Sequence, residues 1–163
     1  MTMNIRILLA TAANLDAAGQ VNALGLGWNI IGPSPLPGFV VIVTAEAPEG
    51  QGEEPFDVQV KLLDSTESPV VIGDRGAEQT MDVHFQAQAA PSATRPAGLP
   101  GGTTLILQLG PGILLEPGMY EWVAWVEGET QPNWRRQFYV RAKPDEFPPR
   151  RAFEELPVPG SPS

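Results

Sequence analysis

A total of 18 prolines and 17 glycines, spread along 163 residues, cut this chain into short apolar or alternating runs. Proline breaks helix interiors and central strands, glycine marks bends, and no stretch between them carries a 3.6-residue apolar periodicity of any length. The surviving runs repeat with a period of two, the period of a strand with one buried face. Val58, Val60 and Leu62 alternate with Asp57, Gln59 and Lys61, and Met81, Val83 and Phe85 alternate with Asp82, His84 and Gln86. The pattern predicts an all-β protein, an antiparallel β-sandwich of Greek-key or jelly-roll-like type.

Strands are expected over residues 4–12, 21–31, 39–47, 58–62, 69–72, 81–86, 103–109, 119–127 and 134–142. The charged Pro- and Gly-containing stretch 48–55 reads as a turn, and 89–102, too long for a hairpin, as a crossover from one sheet to the other. From Lys143 onward six prolines forbid a sheet interior while Phe147, Phe153, Leu156 and Val158 stay apolar. The organisation expected is one sandwich domain, residues 1–142, followed by an extended Pro-rich arm, residues 143–163.

With 19 acidic and 10 basic residues the net charge is −9, which disfavours a phosphate backbone as partner. No run approaches the roughly 20 apolar residues of a membrane-spanning helix. The apolar stretch 7–13 lies at the lower limit for a secretion signal and reads as a first strand. Charge is uneven along the chain: residues 1–134 carry 15 acids and 4 bases, residues 135–163 carry 4 acids and 6 bases. An apolar arm of opposite charge suits docking on a neighbouring surface.

Chemistry has little to work with. There is no cysteine, hence no thiolate metal ligand or disulfide, and the single histidine, His84, falls on the polar face of its strand without a nucleophile motif beside it. The pairs Glu53-Glu54, Asp145-Glu146 and Glu154-Glu155 are adjacent in sequence, so in an extended chain they point to opposite sides. Gly25-Leu26-Gly27 and Gly110-Pro111-Gly112 lack the strand-loop-helix setting of a phosphate cradle and read as bends. No enzyme activity, cofactor or metal is expected.

The aromatics carry more information. On the strand 119–127, Tyr120, Trp122, Ala124 and Val126 form the expected inward face, leaving Val123 and Trp125 outside. An outward tryptophan needs a cover: the arm, a neighbouring subunit, or a stacked sugar. Trp28 is expected in the core and Trp134 at the start of the last strand.

The stretch Asn14-Leu-Asp-Ala-Ala-Gly-Gln-Val-Asn-Ala-Leu-Gly-Leu-Gly-Trp-Asn-Ile-Ile-Gly-Pro, then Phe39-Val-Val-Ile-Val and Leu115-Glu-Pro-Gly-Met-Tyr-Glu-Trp, resembles an uncharacterised family of small β-sandwich proteins of actinobacteria and their tailed phages. The resemblance spans most of residues 4–142 and rests on structural motifs, so it implies a fold and no catalytic residues. The arm, the uneven charge and the lack of catalytic groups, together with the phage company that the resemblance implies, lead to the expectation of a non-enzymatic structural protein, such as an accessory virion or capsid-decoration subunit, in the virion, or in the bacterial cytoplasm if host-encoded. The outward Trp125, together with Phe147, Arg150, Arg151, Phe153 and Leu156 of the arm, which lies outside the resemblance, is expected to meet a protein partner, other virion subunits or a second copy. The competing expectation is a module binding carbohydrate or a protein surface through Trp125 and the 89–102 loop.

Overall fold

The structure, a computed structural model, describes residues 3–90 and 95–144. Its strands are β1 (Asn4–Ala10), β2 (Ala12–Leu15), β3 (Val21–Leu24), β4 (Ile30–Ile31), β5 (Phe39–Ala47), β6 (Phe56–Asp64), β7 (Val71–Ile72), β8 (Gln79–Thr80), β9 (Asp82–Ala87), β10 (Gly101–Leu109), β11 (Gly118–Val126) and β12 (Arg135–Val140). One sheet has the order β1-β5-β10, the other β4-β12-β11-β6-β9. All ladders are antiparallel except that joining β4 to β12.

The seven strands of six or more residues follow one rule. The first, second and fifth (β1, β5, β10) form one sheet; the third, fourth, sixth and seventh (β6, β9, β11, β12) form the other. This is the Greek-key order of an immunoglobulin-like sandwich in which the fourth strand has joined the sheet of the third, sixth and seventh. The 89–102 segment carries the chain from β9 in one sheet to β10 in the other, as its length requires.

Alternation fills the space between the sheets. Ile5, Ile7 and Leu9 of β1 and Val41, Val43 and Ala45 of β5 meet Val58, Val60 and Leu62 of β6 and Tyr120, Trp122 and Ala124 of β11. Trp122 is wholly buried at the centre, and every large aliphatic side chain removed from water around it adds roughly 1.5–3 kcal/mol. Trp28 abuts this core half-buried, its ring edge-on to Phe39 at 5.4 Å and to Phe138 at 6.0 Å. Trp134 is buried immediately before β12.

Two expected strands divide. The run 4–12 breaks at Thr11, whose N–H donates to the Leu24 carbonyl at 2.9 Å, and the run 21–31 breaks at Gly25 and Gly27, which adopt φ of +61° and +88°. Glycine alone enters that left-handed region cheaply. The result is the hairpin β2–β3, folded over the outer face of the three-stranded sheet. There Ala13, Val21 and Ala23 pack on a second apolar cluster of Ala10, Val40 and Ile42. The cause lies in β5, whose Phe-Val-Val-Ile-Val run is apolar on both faces and needs cover on both.

Candidate functional site

The outer face of the five-stranded sheet is where the outward residues of β9, β6, β11 and β12 line up. Trp125 lies opposite Gln59, which lies opposite His84; Val123 lies between Lys61 and Arg135. Trp125 is half-buried, and the Lys61 ammonium sits 5.4 Å from its ring centroid, within cation–π range. The expectation that Val123 shares Trp125's exposure is corrected: Val123 faces outward yet is wholly buried, walled in by the long side chains of the flanking strands.

Beside Trp125 a polar network is already ordered. Gln59 Nε2 donates to Asp82 Oδ2 at 2.9 Å and to Asp82 Oδ1 at 3.1 Å, and lies 2.8 Å from His84 Nε2. His84 Nε2 is 3.6 Å from Asp82 Oδ1. His84 is on the exposed polar face, as its alternation requires. The period placed His84 and Trp125 on their faces; it gave no sign of Gln59 and Asp82, because register across three strands decides that meeting. Further along the face, Arg135 Nη1 donates to Glu121 Oε2 at 3.2 Å and lies 3.7 Å from a Glu67 carboxylate oxygen.

A second feature, missed by sequence reasoning, is a cleft of 790 Å³ at the end of the sandwich where β6 and β12 leave and β11 enters. Ser34, Asp64, Val71, Leu114, Glu116, Tyr120, Arg141 and Lys143 contribute to its walls. Ser34 braces it, its hydroxyl donating to the Leu115 carbonyl at 2.7 Å and accepting from the Leu115 N–H at 3.0 Å. The Asp64 carboxylate is held below its usual range because it accepts hydrogen bonds from the Thr66 hydroxyl and from the Ser68 and Thr66 N–H groups. Burial, with the nearby Glu116 and Asp64 charges, pushes the Tyr120 hydroxyl above 10.0. The lining mixes acids, bases and exposed aliphatics without a nucleophile–base pair.

The remaining expected site residues separate. Phe147, Arg150, Arg151, Phe153 and Leu156, and the pairs Asp145-Glu146 and Glu154-Glu155, lie outside the described residues. The reading of the C-terminal end as a basic arm needs correction. Arg135 and Arg136 belong to β12, and Arg141 and Lys143 line the cleft, so the positive surplus belongs to the sandwich; beyond Lys143 stand four acids and two bases. Gly25 and Gly27 are bends, and Gly110-Pro111-Gly112 lies in the β10–β11 connection. Among the described residues, no three His, Cys, Asp or Glu side chains are grouped to hold a metal ion. No family model and no curated protein matches this sequence.

Proposed function

We propose that this chain is a non-enzymatic interaction protein that works as a structural subunit. Within that class it is an accessory virion protein, of capsid-decoration type, of an actinobacterial tailed phage, assembling through its sandwich surface and C-terminal arm. The observation that supports this most is the contrast between the two outer sheet faces. One is covered by the chain's own hairpin β2–β3. The other, among the described residues, presents paired polar side chains around a half-buried tryptophan, a surface suited to contact rather than to enclosing a substrate. The apolar arm residues Phe147, Phe153 and Leu156 supply a second contact element. The resemblance to phage-borne β-sandwich proteins supports a location in the virion, or in the bacterial cytoplasm if the chain is host-encoded.

Mass spectrometry of purified particles of the encoding phage tests the assignment. A structural subunit appears in a fixed ratio to the capsid protein and stays with the particle through a density gradient; its absence from particles sinks the virion reading.

A second reading, a carbohydrate-binding module, is favoured by the ordered Gln59–Asp82–His84 network beside Trp125, and a sugar stacking on the face that Lys61 covers would have to displace its ammonium. Glycans screened by tryptophan fluorescence would then bind the native chain and not Trp125→Ala. Unchanged fluorescence across neutral, amino and acidic sugars rules it out.

A further inference from the structure

The cleft beside Tyr120 is also where the described sandwich ends. Past β12 the Arg141 N–H donates to the Ile31 carbonyl at 2.9 Å, which holds the strand end to the sheet. Lys143, two residues on, lines the cleft, and the described residues stop at Pro144. Residues 145–163 are therefore tethered at the wall of the cleft. Two apolar side chains of that wall lack cover: Leu114 is 71% exposed and Val71 52%, in a concavity of 790 Å³. Such a volume is within the range of sites that enclose bulky groups. Two cations of the wall are also free, since among the described residues neither Arg141 nor Lys143 makes an ion pair. The Asp64 carboxylate, by contrast, is already taken up by Thr66 and Ser68.

The sequence that follows matches the wall in order. Pro144 is succeeded by Asp145 and Glu146, then by Phe147. The acids are of the sign that Arg141 and Lys143 attract, and the ring is of the kind that Val71 and Leu114 need. Phe147 stands four residues past Lys143, so the two lie within about 14 Å of each other however the chain runs. Over so short a tether the local concentration of the ring at the cleft is on the order of millimolar. A contact too weak to hold a separate molecule is then enough to keep the cleft filled.

We propose that the cleft is the seat of the chain's own arm, occupied by Phe147 packed on Val71 and Leu114. A rival seat exists within reach: Met119, Tyr139 and Ile30 lie side by side across β11, β12 and β4 and are all exposed. That row is on the outer face of a sheet, where a ring gains cover on one side; the cleft offers walls from several segments. The docking concerns the free chain and does not rest on the virion reading. Its consequence for assembly is that Phe153 and Leu156 would project from a fixed root instead of a loose end.

Methyl and aromatic NMR of the full chain in dilute solution tests this. Nuclear Overhauser contacts are expected from the Phe147 ring to the methyl groups of Val71 and Leu114. Phe147→Ala should shift those methyl signals and leave the core signals of Val41 and Val43 in place, which shows that the sandwich is intact. Phe153→Ala, farther along the arm, should leave Val71 and Leu114 unmoved. A mixture of isotope-labelled and unlabelled chains separates the sources: contacts within one molecule support the proposal, and contacts only between molecules overturn it in favour of exchanged arms. Contacts from Phe147 to Met119 and Ile30 instead also overturn it. So does a Phe147 ring without contacts, with cleft signals that Phe147→Ala leaves untouched. Each of these outcomes spares the assembly reading, which stands or falls on presence in particles.

Discussion

The Tyr120 hydroxyl donates to the Glu116 carbonyl at 2.7 Å, pinning the corner through which the chain passes from the three-stranded sheet into β11. A tyrosine near the start of the sixth main strand, bonded to backbone a few residues upstream, is the corner device of immunoglobulin-like sandwiches. Trp122 stands two residues further on, the place where antibody domains put a disulfide cysteine, so packing takes over the cross-link's role. Tyr120→Phe should cost about 1 kcal/mol, read as a lower urea midpoint at unchanged slope. The raised hydroxyl sets the alkaline behaviour: its contribution is complete below pH 10.0 and is lost as pH rises through the higher folded value. Tyr120→Phe should lack that alkaline component.

Trp122 is wholly buried, and its indole Nε1 has no hydrogen-bond partner. Trp122→Ala should therefore cost about 3–5 kcal/mol through the cavity it leaves. Trp122→Phe should cost less than half as much, because it also removes an unpaired buried donor. Chemical denaturation of the two variants checks the order; equal losses would mean that volume alone matters at this position.

Gly25 and Gly27 both have positive φ, yet they differ in what surrounds them. A Cβ on Gly25 would collide with the Thr11 hydroxyl, whereas a Cβ on Gly27 meets nothing within 4 Å. Gly25→Ala should lose about 1–3 kcal/mol, and Gly27→Ala about 1 kcal/mol or less. Amide hydrogen exchange should locate the Gly25→Ala damage in the hairpin β2–β3, leaving β6 and β11 protected.

Asp64 is held below its ordinary value of 3.8 by hydrogen bonds from Thr66 and Ser68, which shape the turn after β6. A depressed carboxylate stabilises the fold above its unfolded pKa, and that contribution disappears as pH falls through the folded value. Asp64→Asn should be less stable than the native chain at neutral pH and should lose less on acidification. Urea midpoints from neutral pH down through the carboxylate range test this, and parallel curves for the two proteins would contradict it.

Alternation was enough to place β5, β6 and β11 and to divide β11 into Tyr120, Trp122, Ala124 and Val126 inside and Trp125 outside, because a period of two is local information. The breaks at Thr11 and Gly25 were hidden by apolar residues that continue the run on both sides; what they face is a second cluster rather than the main core. Val123 reads as exposed from its face and is buried by Lys61 and Arg135, which come from two other strands. The Gln59–Asp82–His84 network and the cleft at Tyr120 likewise depend on residues 23 or more positions apart meeting through sheet register and strand order.

The hairpin β2–β3 sets how long the protein survives in concentrated solution. It covers Val40 and Ile42 with small side chains and a short ladder, so it opens at a lower free energy than the sandwich unfolds. Each opening bares an apolar stripe on the central strand of an otherwise intact sheet. Storage lifetime is then governed by this local event, and a variant with an improved melting temperature but an untouched hairpin would precipitate as quickly as its parent.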